Sequence, residues 1–255
     1  MKLRLVFLCV LISGTVIAQN HDSKPIRFIF ESIHDHLGNL DINSKQSDFG
    51  AYAFNNKLYF ASSRKTVDKR KLYKWNDEPF LDIYTADVNN GTLENETLLN
   101  SSEINTNYHE GTLAITNDGQ TMYFTRDNLN KRDKLNPDKE GTTHLKLYKA
   151  TLENNQWANI EELPFNSDVF STGHPALSPD NKKLYFVSDR EGGFGLTDIY
   201  VVDILENGTY SNPRNLGDKV NTIGSEMFPF VSSENTLYFS SDGHINLGLL
   251  DIYKT

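Results

Sequence analysis

The chain has 255 residues, with 25 lysines and arginines against 34 aspartates and glutamates, and its formal net charge at pH 7 is −9. Nucleic acids and anionic membranes attract clustered basic side chains, so this acidic balance argues against both as partners. The length is ample for one large or two small packed domains.

The start of the chain has the three-part pattern of a secretory signal peptide. Lys2 and Arg4 precede an apolar run, Leu5–Ile17, and Ala18 immediately precedes the predicted cleavage, so residues 1–18 are the predicted signal. The apolar run is too short for a membrane span. We therefore expect export, and a mature chain without a transmembrane segment.

Cysteine usage agrees with export. The single cysteine, Cys9, follows Leu8 inside the apolar run, which does not fit a lipoprotein attachment site. The mature chain is therefore expected to have no disulfide, and its fold must depend on a packed core. Removal of Lys2 and Arg4 leaves 23 basic and 34 acidic residues, a formal charge of −11.

Residues 19–37 are predicted to form an N-terminal arm. On an extended arm, His34 and His36 would share one face, as two zinc ligands could. No third ligand has suitable spacing, so we interpret both as solvent-exposed and predict neither a metal nor a cofactor.

Four copies of one pattern follow, at about 45–104, 107–165, 168–220 and 223–255. Each copy is preceded by an asparagine followed by serine or threonine, and it contains a "YF" segment and then a second aromatic segment. The asparagines are 62, 61 and 55 residues apart. They are Asn43, Asn105, Asn166 and Asn221; the "YF" segments occupy 58–60, 122–124, 184–186 and 237–239, and the second segments begin at Asp82, Lys146, Asp198 and Asp251.

Each copy has the sequence features of β-structure. Turn residues in "ALSPDNKKLYF" and "TNDGQTMYF" separate two short strands, and no window shows helical periodicity. We predict an all-β protein whose repeats are four-stranded antiparallel blades of a β-propeller. Regularly recurring aromatics are expected to pack between blades: Tyr59, Tyr123, Tyr185 and Tyr238.

The two ends of the repeat region suggest how the ring closes. The fourth copy stops after its third strand, whereas "GNLDINS" at 38–44 resembles the fourth-strand segment "RNLGDKVNT" at 214–222. Residues 38–44 would then complete blade four and close a four-bladed ring. The alternative is that the four repeats are part of a larger propeller.

The run "HPALSPDNKKLYFVSDREGGFGLTDIY" resembles the Pro-Asp type of WD40-like repeat in TolB-type propellers. With "YHEGT", "EELPFNSD", "EMFPFVS" and "LYFSSDGH", the region 38–255 is more narrowly similar to the propeller of OmpA-family envelope proteins of Bacteroidetes. A departure is Lys146, where the other repeats have aspartate, so loop hydrogen bonds in that blade are expected to differ.

This resemblance implies a periplasmic protein, associated with the outer membrane. Its expected partners are envelope proteins, either outer-membrane or secretion-apparatus components. Fuller family members carry a peptidoglycan-binding OmpA-like domain, so peptidoglycan is expected as a partner only where such a domain is present.

Propellers often occur in hydrolases, so catalytic motifs in this sequence would indicate an enzyme. The chain has no Gly-x-Ser-x-Gly nucleophile elbow. Asp48, Glu110 and Glu226 could converge at the axis as a carboxylate pair for glycoside hydrolysis, but we interpret them as acceptors of turn amides. We therefore predict a protein-interaction scaffold and not an enzyme; the alternative is a propeller hydrolase or lyase acting on saccharides or peptides.

Two regions are candidate binding surfaces. Thr112, His174 and Phe228 occupy equivalent positions beside the predicted axis. The insertions 64–79 and 128–143 extend the loops between second and third strands, where loops carry function. In the first insertion, Tyr73 and Trp75 are the candidate contact residues.

Overall fold

The computed structural model describes residues 40, 42–64, 72–89, 91–101, 103–245 and 248–255. These residues form four small antiparallel sheets in chain order, each made from one repeat. The predicted all-β class and the four-bladed β-propeller are confirmed. The predicted signal peptide, the arm with His34 and His36, and most of the basic part of the first insertion lie outside the described residues.

Blades one and two have four strands each. In both, the strands run outwards from the axis as a meander, and blade one carries a two-stranded hairpin in its insertion. Blade one has β1 (Asp48–Phe54), β2 (Lys57–Ser62), the hairpin β3 (Leu72–Tyr73) and β4 (Glu78–Pro79), β5 (Asp82–Asn89) and β6 (Thr92–Leu98); blade two has β7 (Glu110–Ile115), β8 (Thr121–Asp127), β9 (Leu145–Glu153) and β10 (Gln156–Glu162).

Blade three also has four strands, and blade four has three in the described part of the chain. The fourth strand of blade three is short, because it pairs with its neighbour at only two positions. Blade three has β11 (Thr172–Leu177), β12 (Lys183–Ser188), β13 (Asp198–Asp203) and β14 (Arg214–Asn215); blade four has β15 (Glu226–Val231), β16 (Leu237–Ser241) and β17 (Asp251–Lys254).

The turns between first and second strands form where the sequence predicts them. Asn55 and Asn56 in blade one, Gly119 in blade two, Asn181 in blade three and Asn235 in blade four all have positive φ. Asparagine and glycine adopt this left-handed conformation at lower cost than other residues, which explains their recurrence.

The hydrophobic core lies between successive blades. Strand β2 shows the alternation: Leu58 and Phe60 belong to one cluster with Ile42, whereas Tyr59 belongs to the cluster shared with blade two. Tyr123 plays the same part between blades two and three. Tyr185 packs on the cluster shared by blades three and four, so the predicted packing is confirmed for these three tyrosines, whereas Tyr238 contacts Phe230 of its own blade and is in none of these clusters. Each of the packed blades depends on its neighbours for burial.

An arginine covers the Phe–Tyr pair of each of the first three blades. Arg64, Arg126 and Arg190 each place the guanidinium about 5 Å from both rings. Each also donates a hydrogen bond to the carbonyl of the residue before the recurrent asparagine. In blade four, His244 contacts the equivalent rings and hydrogen-bonds Val220 O at 2.9 Å.

The recurrent asparagines connect neighbouring blades. Asn221 Oδ1 accepts from Ile199 N–H at 2.8 Å, and Asn221 Nδ2 donates to Ile199 O at 3.0 Å. Asn166 pairs with Leu147 in the same way. The side chain thus continues the hydrogen-bonding edge of the third strand, at the point where the chain crosses to the next blade. We call this pairing the asparagine latch; Asn105 makes the third one with Ile83.

The fourth asparagine makes no such pairing among the described residues. Asn43 is exposed, whereas Ile42 packs on blade one and its carbonyl accepts from Arg64. Phe230 and Ile252, on the face of blade four opposite to the one that packs on blade three, are 57% and 59% exposed. Completion of blade four by residues 38–44 stays a prediction, since part of that segment lies outside the described residues.

The latch gives a stability prediction with a matched control. Replacement of Asn221, which is 1% exposed, by alanine removes the acceptor of the Ile199 N–H in the core, whereas Ile199 O keeps the hydrogen bond from Leu216 N–H at 3.1 Å. We expect Asn221→Ala to lower the free energy of unfolding by about 1–3 kcal/mol, measured by urea denaturation. Asn43→Ala should change it by less than about 0.5 kcal/mol. Equal effects of the two substitutions would contradict the role of the latch.

Candidate functional site

A cavity of about 500 Å³ lies on the axis, lined by the first strands of the blades and the turns that follow them. Each first strand has a register shift at the same place, which re-aims one residue towards the axis. The re-aimed residues are Gly50, Thr112, His174 and Phe228. The structure therefore brings the three predicted axial residues together in one cavity.

His174 and Phe228 form one aromatic wall of the cavity. Their rings stack with centroids 4.3 Å apart and an angle of 12° between planes. His174 N–H donates to Thr125 Oγ1 at 3.0 Å, and Thr125 Oγ1 lies 3.3 Å from Thr112 Oγ1. A hydrogen-bonded row therefore runs across blades two and three to the stacked pair.

The described lining of the cavity carries no charged side chain at neutral pH. Loss of solvent around His174 lowers its pKa to about 4, so the ring is uncharged at neutral pH. None of the described residues that line the cavity is an aspartate, glutamate, lysine or arginine. The cavity therefore offers no carboxylate pair for glycoside hydrolysis.

The three candidate acids lie outside this lining and accept turn hydrogen bonds. Glu226 accepts from the N–H and Oγ1–H of Thr222 at 2.8 and 2.7 Å. Glu110 makes the same two bonds with Thr106, and burial raises the pKa of Glu110 to about 8. Asp48 accepts from the N–H of the serine four residues before it. The interpretation as turn acceptors is confirmed.

Tyr73 and Trp75 lie far from the axial lining, in the hairpin of the first insertion. Tyr73 packs its ring against His109 at 4.6 Å and Phe80 at 5.4 Å, so it holds the hairpin on the propeller. Trp75 is 85% exposed at the hairpin tip. The residues predicted for binding therefore lie at two separate sites, the axial cavity and the hairpin of the first insertion.

A third place was not predicted from the sequence. At the junction of blades two and three, Ser171 Oγ lies 3.4 Å from His144 Nδ1, and His144 Nε2 lies 2.8 Å from Asp138 Oδ2. This is the connectivity of a serine–histidine–aspartate triad, in which a base contacts the nucleophile and a carboxylate orients the base. We call Ser171, His144 and Asp138 the junction triad.

The local structure fixes each member of the junction triad. The second insertion turns back on itself, and Asp138 Oδ1 accepts the N–H groups of Glu140 and Thr142 at 3.0 and 2.8 Å. These bonds and the His144 contact hold the pKa of Asp138 below its ordinary value, with the His144 contact the largest cause. Asp138 therefore stays ionised, fixes the proton on His144 Nε2 and leaves Nδ1 as the acceptor facing Ser171.

The hydroxyl of Ser171 is placed by the blade junction. Leu145 N–H donates to Ser171 Oγ at 3.2 Å, and Ser171 N–H donates to Asp189 Oδ1 at 2.6 Å. At the junction of blades one and two, the matching donor Leu81 N–H points at His109 Nδ1 instead, also at 3.2 Å. The junction geometry is thus repeated, whereas the serine–histidine pair occurs at one junction in the described structure.

The sequence contains only a weak signal for this triad. Its members are separated by 6 and 27 residues, and no short motif contains them. Alignment of the repeats could have drawn attention to Ser171, because it precedes the first strand at the position that His109 occupies in blade two.

Two further kinds of site, a metal centre and a membrane-spanning helix, concern the described residues as a whole. No group of three potential ligands from histidine, cysteine, aspartate and glutamate lies close enough there to hold a metal ion. In the same part of the chain, no helix is long and apolar enough to cross a membrane. Lys146, the departure noted above, forms ion pairs with Glu162 and Asp168 at 2.8 and 2.7 Å.

Comparison with known proteins gives likenesses at the level of structure. No family model matches the chain, and no curated protein matches it. Solved structures similar to it include an endo-arabinase from Bacteroides thetaiotaomicron, 16% identical with a TM-score of 0.48, covering 80% of this chain and 72% of the other. A puromycin-hydrolysing peptidase from Mycobacterium tuberculosis is 14% identical with a TM-score of 0.47, covering 82% and 37%.

A third similar structure is a putative TolB from Agrobacterium tumefaciens, 16% identical with a TM-score of 0.44, covering 76% of this chain and 53% of that one. A TolB-like propeller is thus among the similar structures, as the TolB part of the sequence resemblance implies; the OmpA part has no such support. The chain spans about a third of the length of the puromycin-hydrolysing peptidases that it resembles.

These comparisons correct one prediction. The expectation that the protein is not an enzyme is contradicted, because many of the similar structures are propeller hydrolases, including peptidases and the endo-arabinase. The expectation relied on the absence of a nucleophile elbow, which is the signature of one hydrolase fold and does not cover others.

The neutral state of His174 gives a prediction about pH. Its folded pKa of about 4 lies below the ordinary 6.5, so its contribution to stability is complete above pH 6.5 and is lost as pH falls towards 4. We expect wild type to lose up to about 3 kcal/mol relative to His174→Phe over this range. Urea denaturation at each pH measures the difference.

His109 is the internal control for this comparison. Burial lowers its pKa to about 4 as well, and it is present in both proteins, so its contribution cancels. A difference between wild type and His174→Phe that does not vary between pH 4 and 6.5 would contradict the neutral assignment of His174.

Proposed function

We propose that the protein is a propeller hydrolase that cleaves ester or amide bonds in acylated saccharides or peptides. The junction triad is the observation that supports this proposal. Ser171 is partly exposed, whereas His144 and Asp138 are about one tenth exposed in their side chains. The nucleophile is therefore open to a substrate, and the base and its orienting carboxylate are shielded.

The proposed reaction follows from the protonation states. Ser171 Oγ attacks the substrate carbonyl carbon while His144 Nδ1 takes the hydroxyl proton. The resulting imidazolium is stabilised by Asp138, and it returns the proton to the leaving alcohol or amine as the acyl group stays on Ser171. Water, deprotonated by His144, then attacks this ester, which releases the acid and restores the serine.

The distance between Ser171 Oγ and His144 Nδ1 is compatible with this role. At 3.4 Å it is longer than a strong hydrogen bond, as is common for catalytic pairs without substrate. The bond from Leu145 N–H restrains the oxygen but leaves its proton free to point at His144. The proposal therefore needs only a small closing movement at the junction.

The location of the protein is a separate proposal. We propose export by residues 1–18 and a periplasmic site of action, next to outer-membrane or secretion-apparatus proteins as partners. The basic start, the apolar run and the similarity of the repeats to envelope propellers support it. Subcellular fractionation, with the amino terminus of the mature chain determined by mass spectrometry, tests it: recovery of uncleaved cytoplasmic protein would contradict it.

Covalent labelling tests the hydrolase proposal. A fluorophosphonate probe reacts with activated serines, so wild type should be labelled, with the phosphonylated peptide containing Ser171 identified by mass spectrometry. Ser171→Ala and His144→Gln should each reduce labelling, and hydrolysis of p-nitrophenyl acetate, by at least about 100-fold.

Asp138 and Ser233 supply the comparisons. Asp138→Asn should slow hydrolysis and change its pH profile, because the orientation and charge that favour the imidazolium are lost. Ser233→Ala changes an exposed serine outside the junction and should leave labelling and hydrolysis unchanged. Failure of folded wild type to be labelled, or labelling at another serine, would refute the assignment.

A further inference from the structure

The axial cavity is distinct from the junction triad and has properties of its own. None of the triad residues is in its lining. Its volume of about 500 Å³ falls within the range of small-molecule sites, roughly 300–1,000 Å³. Tyrosine, phenylalanine, proline and aliphatic side chains supply most of its wall, with a few neutral polar groups.

Two bulky residues in this cavity have an unfavourable backbone conformation. His174 has φ of 52° and Phe228 has φ of 50°, in the left-handed region that large side chains rarely adopt. The equivalent residue of blade one is Gly50, with φ of 67°, for which the conformation costs little. Strain of this kind persists where surrounding structure enforces it, and it occurs often at ligand sites.

The strained pair exposes one hydrogen-bond donor to the cavity. His174 Nδ1 accepts from Phe228 N–H at 3.4 Å, so the neutral ring carries its proton on Nε2. The hydrogen bonds of His174 use its backbone N–H and Nδ1, so Nε2 has no hydrogen-bond partner among the described residues, and His174 keeps partial access to solvent. A single directed N–H group is therefore present in an otherwise apolar wall.

The polar groups in the turns of blades two and three are already engaged. Asn117 pairs with Asn181 Oδ1 and Pro179 O, and Ser178 Oγ bonds Asp180. These contacts tie the turns of blades two and three together and leave His174 as the main directional contact for a ligand. Charged ligands would lose hydration without an opposite charge in the lining.

We propose that the axial cavity binds an uncharged, mainly apolar molecule whose one hydrogen-bond-accepting oxygen meets His174 Nε2–H. The stacked rings of His174 and Phe228 and the apolar wall bury its body. A carbonyl or ether oxygen on an aromatic or alicyclic body has this chemistry. Because the cavity lies apart from the junction triad, this proposal does not depend on the hydrolase activity.

Three probes of similar shape test the proposal. Acetophenone has a carbonyl acceptor, ethylbenzene lacks it, and benzoate adds a charge. We expect acetophenone to bind wild type with Kd on the order of millimolar, with chemical-shift changes at the amides of Thr112, His174 and Phe228. Ethylbenzene and benzoate should each bind about 5- to 10-fold more weakly, since one lacks the hydrogen bond and the other must be desolvated.

His174→Phe is the diagnostic variant, because Phe228 shows that a phenylalanine fits the same backbone conformation. It keeps an aromatic ring but removes Nε2–H, so acetophenone and ethylbenzene should bind it about equally. If this variant does not fold, the Nε2–H resonance of wild type supplies the answer: acetophenone should shift it more than ethylbenzene does. Ser171→Ala should bind acetophenone as wild type does.

Three results would overturn the proposal. One is the absence of shift changes at the axial amides with acetophenone at its solubility limit. The second is equal or tighter binding of benzoate. The third is an acetophenone preference that persists in His174→Phe, or, where that variant does not fold, equal shifts of the Nε2–H resonance with acetophenone and ethylbenzene.

Discussion

The pairing of one asparagine side chain with a backbone N–H and C=O is the interaction on which the arrangement of blades depends. It occurs where the chain leaves one blade for the next, and it gives the third strand an acceptor for a backbone N–H and a second donor for the carbonyl of the same residue. The carbonyl just before each latch asparagine accepts a hydrogen bond from the side chain that covers the Phe–Tyr pair, which is Arg126, Arg190 or His244, so the latch and the aromatic packing hold the same crossing point.

This crossing point also determines where chemistry can occur. Asn166 holds the crossing from blade two to blade three, and Ser171 follows it by five residues, opposite Leu145 of the latched strand. The second insertion supplies Asp138, and His144 follows that insertion directly, so the turn of the insertion positions both residues. A rigid junction with a variable loop thus places three side chains from distant parts of the sequence within hydrogen-bonding distance.

Repetition explains how much the sequence could predict. The strand order, the turns and the axial position of Thr112, His174 and Phe228 recur from repeat to repeat. Each copy therefore supports the structure predicted for the others, and the number of copies gives the number of blades. The junction triad occurs at one junction, and Ser171, His144 and Asp138 come from two loops whose contact depends on the folded insertion. The nucleophile-elbow motif does not detect this triad, because that motif is specific to a strand–turn–helix geometry that is absent from β-propellers. The position of residues 38–44 is likewise not determined by sequence similarity, since their resemblance to a fourth strand does not specify which blade they complete.

The tautomer of His144 decides whether the junction triad can act, because the triad requires one protonation pattern. Long-range ¹H–¹⁵N correlation spectra of the uniformly ¹⁵N-labelled protein at neutral pH distinguish the two ring nitrogens. We expect a protonated Nε2 held by Asp138 and an unprotonated Nδ1 facing Ser171, with this pattern weakened in Asp138→Asn. A neutral ring with its proton on Nδ1 would contradict the proposed triad, since His144 could not then accept the proton of Ser171.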